Sequence, residues 1–225
     1  DAPFALIASS KAYVYYKDEQ YDLVAKEYLS VLEIEKKIFG EENPAVAASM
    51  VAIGVQYYNI SKFEEALDWF LKGFSILQKL PGKEYDLAQI CENISDTYES
   101  IGDNEKRIAY KIKSADSYMA AALEQSDLDL AKKWYTNANT YYDEAVLEKS
   151  VAVDEKMRIR QRQEEICKIV YGENSKEISE IYNYLGVLYF NNGDKNNSLI
   201  YFQKALAAAE QNNGDNRMTV LKNIS

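Results

Sequence analysis

The residues of this chain that could do chemistry are carboxylates, tyrosines and two cysteines, because histidine is absent. The commonest general base is therefore missing, and two cysteines alone do not supply the usual Cys/His zinc sites. The paired carboxylates Glu41-Glu42 and Glu64-Glu65 fall in predicted turns or on exposed helix faces, where they favour solubility. The glycine motifs of phosphate loops, dinucleotide sites and nucleophile elbows do not occur. We therefore expect no catalytic residue, no metal and no cofactor in these residues.

The charge balance argues against a nucleic-acid partner. The chain has 26 basic and 36 acidic residues, a formal net charge of −10, whereas binding to a phosphate backbone depends on clustered Lys and Arg. One basic run, 156–162, is flanked by Asp154, Glu155, Glu164 and Glu165. We interpret it as a solvated helix face, with a patch for an anionic partner as the alternative. No stretch approaches the ~18 apolar residues of a membrane span.

The two cysteines, Cys91 and Cys167, lie at apolar helix positions far apart in the sequence. We expect buried free thiols rather than a disulfide, because a helical array of this size needs no covalent link. The sequence shows no signal peptide, and we expect a cytoplasmic protein, with a secreted or periplasmic mature form as the alternative.

An internal repeat predicts the helices on which the residues discussed above lie. Residues 32–58 and 165–190 share one pattern: an amphipathic run, an aromatic-Gly pair, an acidic-Asn turn, and a second run with glycine and then tyrosine. Each predicted first helix has a small residue near its middle, here called its anchor. The anchors are Ala12, Gly54, Ser95 and Gly186. Their spacings of 42, 41 and 91 residues predict stacked repeats, with one degenerate unit before the last anchor.

A polar turn and a second apolar run follow the anchors. The second runs carry small and aromatic residues at helical spacing, which are Ala66, Phe70 and Gly73, and again Ser198, Phe202 and Ala205. The third unit departs from this pattern, with Arg107 and Lys111 in place of small and aromatic residues. We therefore predict helix pairs that bury one face by stacking on their neighbours.

Cap residues predict where several of these helices begin and end. Proline occurs only at positions 3, 44 and 81, so long helical runs are uninterrupted. Asn43 before Pro44 is typical of an N-cap followed by the first helical residue. Gly40 suits a left-handed C-terminal cap, and Asn174-Ser175 repeats the N-cap pattern after Gly172.

These features resemble the tetratricopeptide repeat family. The match is closest at Tyr182-Asn183-Tyr184-Leu185-Gly186, Tyr189, Gly193-Asp194, Phe202 and Ala205. The period of roughly 42 residues resembles the kinesin-light-chain-type variant rather than the usual ~34-residue form. The resemblance implies an all-α, right-handed superhelical solenoid in one domain over 1–225. Its helix-turn-helix repeats are expected at 5–40, 45–80, 86–124, 127–170 (irregular) and 176–212, with a further repeat starting at 217–225.

In the resembled family, the first helices line a concave face that binds peptides or partner segments. Helical spacing places three positions per unit on that face, at three before, one after and four after the anchor. The resulting groove residues are Ser9, Tyr13, Tyr16, Val51, Val55, Tyr58, Glu92, Asp96, Glu99, Asn183, Val187 and Phe190. We expect a partner with large apolar side chains flanking Lys or Arg. The alternative is a solvated acidic face with aromatic rings that contact the next repeat.

The resemblance implies a non-catalytic protein- or peptide-binding scaffold. Residues 221–225 look like the first half of another first helix, so we expect a sensory or docking region of a larger protein. One alternative is a regulatory domain of an enzyme, a histidine kinase or caspase-like peptidase, whose catalytic part lies outside this chain. A third hypothesis is a small-molecule pocket in the irregular unit near Trp134, Tyr135, Tyr141 and Tyr142, where packing is the competing interpretation.

Overall fold

The fold is a succession of helix pairs joined by short turns. The structure, a computed structural model, describes residues 20–211 together with residues 220, 222 and 223. These residues contain helices and no strand, which confirms the all-α prediction. The helices are α1 (Tyr21–Phe39), α2 (Pro44–Asn59), α3 (Phe63–Leu77), α4 (Glu84–Ile101), α5 (Asn104–Glu124), α6 (Leu128–Leu147), α7 (Val153–Val170), α8 (Lys176–Asn191) and α9 (Lys195–Gln211). None of the described helices is long and apolar enough to cross a membrane.

The helices from α2 onward form successive pairs, with a period that lengthens along the chain. The first helices α2, α4, α6 and α8 begin at residues 44, 84, 128 and 176. The interval of 91 residues between Ser95 and Gly186 therefore holds one further pair, α6 with α7. Ala138, which is fully buried in the middle of α6, stands where the fourth anchor belongs. The five residues between α6 and α7, 148–152, make this pair longer than the others.

The chain divides into two compact units, Asp1–Ala121 (unit 1) and Ala122–Ser225 (unit 2). Each unit has its own apolar core. The core of unit 1 includes Leu32, Val46, Met50, Ile53, Phe70, Leu77, Ile90, Ile94 and Tyr98. The core of unit 2 includes Met157, Cys167, Ile178, Ile181, Tyr182, Leu185, Leu188, Ala205 and Val220. One domain over 1–225 stays a prediction.

Gly54 and Gly186 lie where a second helix comes closest to its first helix. A Cβ atom added to Gly54 would lie 2.6 Å from Cε1 of Phe70, and one added to Gly186 would lie 2.5 Å from Cδ1 of Phe202. Both rings are buried. An aromatic ring therefore rests directly on each glycine, so any larger residue would overpack the contact.

The third anchor, Ser95, uses a hydrogen bond in place of a ring. Phe70 and Phe202 each follow their glycine by 16 residues, and the corresponding position after Ser95 is Lys111. No phenyl ring therefore competes with the serine side chain at this position. The fully buried hydroxyl of Ser95 donates to the backbone carbonyl of Arg107 at 3.0 Å. This bond joins α4 to α5 and satisfies a polar group inside the core.

The predicted N-caps are confirmed, and one predicted C-cap differs. The side chain of Asn43 accepts from a backbone N–H of α2 at 2.9 Å, and Pro44 is the first helical residue. Ser175 caps α8 by accepting from Ile178 at 3.2 Å. Gly40 has a φ of 83°, as a glycine turn requires, but its ψ of 166° is not left-handed helical. The chain leaves α1 extended because only four residues, 40–43, separate α1 from α2.

Both cysteines are free and buried, as predicted. Burial raises the pKa of Cys91 to about 12, and burial likewise raises the pKa of Cys167 to about 12. The cause is that a thiolate loses its hydration inside an apolar core. Each thiol is therefore neutral at physiological pH.

We predict that Gly54→Ala destabilises the fold by about 1–3 kcal/mol through overpacking against Phe70. A loss of stability would be diagnostic, because Gly→Ala inside a helix otherwise stabilises the fold by roughly 0.5–1 kcal/mol. The measurement is urea unfolding of Gly54→Ala, Phe70→Leu and the double variant. The smaller leucine should reduce the cost of the alanine, whereas additive costs would show that the two residues are not in contact. Gly186 and Phe202 provide the same test in unit 2.

We also predict that neither thiol reacts with a disulfide reagent such as Ellman's reagent at pH 8 in the native state. The reactive thiolate is scarce when the pKa is raised to about 12, and burial blocks access to the sulfur. Absorbance of the released thiolate should report two reactive groups only after denaturation in guanidinium. A rapid phase in the native protein would contradict the burial of one of the two side chains.

Candidate functional site

Six of the predicted groove residues lie on two neighbouring first helices of unit 1. We call this set the α2–α4 surface. It consists of Val51, Val55 and Tyr58 on α2 and Glu92, Asp96 and Glu99 on α4. Ser9, Tyr13 and Tyr16 lie outside the described residues. The three α2 side chains and Glu92 are half-buried, and Asp96 and Glu99 are exposed.

Val55, Tyr58 and Asp96 converge on one cavity of about 80 Å³, to which Asn93 and Phe70 also contribute. The cavity thus has an apolar floor and one carboxylate at its side. Tyr58 is held in place, since its hydroxyl shares a hydrogen bond of 3.2 Å with the Ser100 hydroxyl. Its ring also packs edge-on against Phe63, with 5.3 Å between ring centroids.

Val51 lines a second and larger cavity of about 190 Å³ on the same pair of helices. Asp86 and Gln89 of α4 lie on its polar side, and Leu77 of α3 lies on its apolar side. The contact between α2 and α4 therefore presents two separate recesses. Each combines a valine side chain of α2 with one carboxylate of α4.

The predicted acidic stretch does not form a single cluster. Of its three carboxylates, Asp96 is the one at the Val55 cavity. Glu99 lines another recess of about 180 Å³ at the α4–α5 turn, together with Gly102, Asn104 and Arg107. The guanidinium of Arg107 therefore lies in the same recess as the negative charge of Glu99.

The remaining predicted groove residues are on α8 of unit 2. Val187 and Asn183 are half-buried, and Phe190 is 58% exposed. Asn183 accepts a hydrogen bond of 2.8 Å from the side-chain amide of Asn223. Val220, near that asparagine in sequence, is fully buried in the core of unit 2.

Unit 2 contains a polar cavity that the sequence analysis did not predict. We call it the unit 2 cavity. Its volume is about 240 Å³, and α6, α7 and α8 all contribute to its wall. Its polar lining consists of Asn139, Asp143, Arg160, Gln163, Glu177, Glu180 and Tyr184.

A hydrogen-bond network fixes the α6–α7 side of the unit 2 cavity. Nη1 of Arg160 donates to Asp143 Oδ1 and to Gln163 Oε1, each at 2.6 Å. The amide nitrogen of Gln163 donates in turn to Asn139 Oδ1 at 2.8 Å and to Asp143 Oδ1 at 3.0 Å. Gln163 is 1% exposed, so these side chains rather than solvent satisfy its amide. The guanidinium carbon of Arg160 lies 4.4 Å from the ring centroid of Tyr184.

Arg160 corrects the interpretation of the basic run 156–162 as a solvated face. Its side chain is 13% exposed and paired with Asp143. Its buried Nε has no hydrogen-bond partner within the described part of the chain, an arrangement that typically costs about 1–3 kcal/mol. By contrast, Arg158 pairs with Glu155 on the same helix, as a solvated face would.

A sequence signal for the unit 2 cavity exists in retrospect. Ile159, Gln163 and Ile166 form a stripe at helical spacing, and all three are buried. A glutamine in the middle of an apolar stripe indicates a polar group that needs partners in the core. Its neighbour one turn earlier, Arg160, supplies one of them.

The aromatic residues of the irregular unit, Trp134, Tyr135, Tyr141 and Tyr142, mainly pack against the protein interior. Tyr135 and Tyr142 are buried, at 3% and 0% exposure, and Trp134 and Tyr141 are half-buried. The unit 2 cavity lies in this region, and Tyr184 lines it, whereas none of these four residues does. This placement favours packing over a small-molecule pocket made of those four aromatic residues.

No metal site is visible among residues 20–211, 220, 222 and 223. No group of three or more Cys, Asp or Glu side chains there is arranged to hold a metal ion. The carboxylates of the unit 2 cavity are thus spread around its wall rather than converging on one point.

Comparisons with known proteins agree with this helix-pair architecture. A sequence comparison with curated proteins finds no match. The sequence model of the tetratricopeptide repeat matches residues 179–212, which correspond to α8 and α9. A variant of a kinesin-light-chain-type protein of Podosopora anserina with nearly identical TPR-like repeats is 14% identical, with a TM-score of 0.50 over 94% of this chain and 97% of that chain.

Another similar structure is BtubC (BKLC) from P. vanneervenii, which is 16% identical, with a TM-score of 0.49 over 92% of this chain and 80% of that chain. At these identities the likeness concerns the fold alone. Residues 179–212 thus match the tetratricopeptide repeat in sequence, and the chain has the helix-pair fold seen in tetratricopeptide-like repeat proteins.

Proposed function

We propose that this chain is a non-catalytic scaffold that binds a protein or peptide segment along its first helices. The observation that carries the proposal is the convergence of Val55, Tyr58 and Asp96 on one recess between α2 and α4. A partner segment lying there would place an apolar side chain against the valine and the tyrosine. A Lys or Arg of the same segment would then lie beside the carboxylate.

The shape of the α2–α4 surface supports a segment rather than a small molecule. Its recesses of about 80 and 190 Å³ are each smaller than the roughly 300–1,000 Å³ that drug-sized ligands occupy. Two small recesses on one surface suit successive side chains of an extended or helical peptide, with apolar anchors in pockets and polar contacts at the rim. Within unit 2 we propose a separate contact surface on α8, which consists of the remaining groove positions Asn183, Val187 and Phe190.

The charge of the surface supports a basic partner. Glu92, Asp96 and Glu99 follow one another at helical spacing on α4, and the whole chain carries a net charge of −10. Such a field accelerates association with a basic segment and weakens as salt screens it. We propose no nucleic-acid partner, because an acidic surface repels phosphates.

The proposal that the chain is non-catalytic rests on its residues. The chain has no histidine, and both of its thiols are buried and neutral. A general base or an activated nucleophile therefore has no obvious source. The alternative of a regulatory domain belonging to a histidine kinase or caspase-like peptidase gains no support from the described residues or the comparisons.

We predict that peptides selected on this chain from a phage-displayed random library are rich in Lys or Arg next to large apolar residues. Their affinity should fall as salt rises, because the carboxylates of α4 are screened. Asp96→Lys combined with Glu99→Lys should weaken them about tenfold or more at low salt, since attraction becomes repulsion. Isothermal titration calorimetry of a synthetic selected peptide measures both effects.

The matched control is Glu33→Lys with Asp68→Lys, which makes the same charge change at exposed positions of α1 and α3. Exposed ion pairs contribute little to stability, so the original chain and both double variants should unfold at similar temperatures. Equal weakening by both double variants would indicate a general field effect and no site at α2–α4. Unchanged binding by the Asp96 and Glu99 variant would remove this surface from the proposal.

A further inference from the structure

The residues that line the unit 2 cavity occupy repeat positions equivalent to those that line the two recesses of the α2–α4 surface. Counted from the anchors Ser95 and Gly186, Asp86 and Gln89 occupy the positions of Glu177 and Glu180. Both pairs line recesses. In unit 1 a second-helix ring, Phe70, forms part of the wall of an apolar recess.

In the α6–α7 pair of unit 2, the second helix α7 contributes Arg160 and Gln163 to the wall, where unit 1 has an aromatic ring. The result is one polar cavity of about 240 Å³ in place of two smaller recesses. The network of Arg160, Gln163, Asn139 and Asp143 holds this wall in place. Gln163 is 1% exposed and the Arg160 side chain is 13% exposed, so two polar side chains lie where apolar core residues would be expected. Such departures from core packing concentrate at functional sites.

The charges around the unit 2 cavity select a cation. Three carboxylates, Asp143, Glu177 and Glu180, face one guanidinium, that of Arg160. Because Arg160 already pairs with Asp143 at 2.6 Å, the other two carboxylates carry the excess negative charge. Lys176 lies 3.6 Å from Glu180, but both side chains are more than half exposed, so solvent screens that pair. An anion in the cavity would meet repulsion from both glutamates.

The spread of these carboxylates selects an organic cation over a metal ion. Metal binding needs ligands that converge on one point, and the described residues contain no such group. A volume of about 240 Å³ is below the roughly 300–1,000 Å³ of drug-sized sites and fits a group the size of one long side chain. Ile181, which also lines the cavity, can contact the methylene groups of such a chain.

We propose that the unit 2 cavity binds an alkylammonium group, with Glu177 and Glu180 as its counter-ions. A lysine side chain of a partner segment supplies such a group, and in that case the inference rests on the proposed binding function. A free polyamine has the same chemistry. The ammonium would lie at the two glutamates, and its methylene chain would lie along Ile181 and Tyr184.

The test is an amide chemical-shift titration of the isotope-labelled chain at low salt. The probes are a capped tripeptide acetyl-Gly-Lys-Gly-amide, its isosteric norleucine analogue, and spermidine. The lysine peptide or spermidine should shift amides of residues 139–143 and 177–184, and the norleucine peptide should not. Saturation by spermidine alone would identify a free polyamine as the ligand, and saturation by the lysine peptide would identify a partner side chain.

The variant is Glu177→Gln with Glu180→Gln, and it should raise the Kd of the active probe about fivefold or more, because two ion pairs are lost. The matched control is Glu165→Gln with Glu173→Gln, two exposed acids of unit 2 that do not line the cavity. Equal shifts from the lysine and norleucine peptides would overturn the proposal, as would equal affinities of variant and control. Neither variant changes the α2–α4 surface, so failure here is distinguishable from failure of the proposed function.

Discussion

The structure depends on how closely the second helix of each pair can approach the first. In α2 with α3, and again in α8 with α9, a phenylalanine ring lies on the bare backbone of a glycine. A Cβ atom at either glycine would lie closer than 3.0 Å to the ring. This contact fixes the distance between the paired helices, and so determines which side chains of the first helix remain at the surface. The surface we propose for binding is what this packing leaves uncovered.

Where the ring is missing, another interaction must set the same distance. In α4 with α5, the hydroxyl of Ser95 donates to a backbone carbonyl of the second helix. In α6 with α7, the anchor is Ala138, and the neighbouring Asn139 accepts a hydrogen bond from Gln163 of the second helix. The unit 2 cavity occurs at the pair that has replaced its ring by such a network.

The sequence predicts local features well because they depend on nearby residues. Asn43 and Ser175 cap their helices as expected, since a cap needs only a short polar side chain and the next few backbone N–H groups. The glycine anchors were predicted from spacing, and the packing explains them. The groove positions follow from helical periodicity, but whether their side chains converge depends on tertiary contacts. Glu99, for example, shares its recess with Arg107 of the next helix rather than with Asp96.

Arg160 shows why the unit 2 cavity could not be predicted in the same way. A basic run flanked by acids has the composition of a solvated helix face, and Arg158 behaves so. The orientation of Arg160 depends on which side of α7 faces the core. The buried side is the one that carries Ile159 and Gln163. Once Gln163 is inside, its amide needs partners, and the guanidinium of Arg160 and the side chains of Asn139 and Asp143 provide them. An apolar residue at 163 would remove that need, so the glutamine is the buried residue that holds Arg160, Asn139 and Asp143 together at this wall.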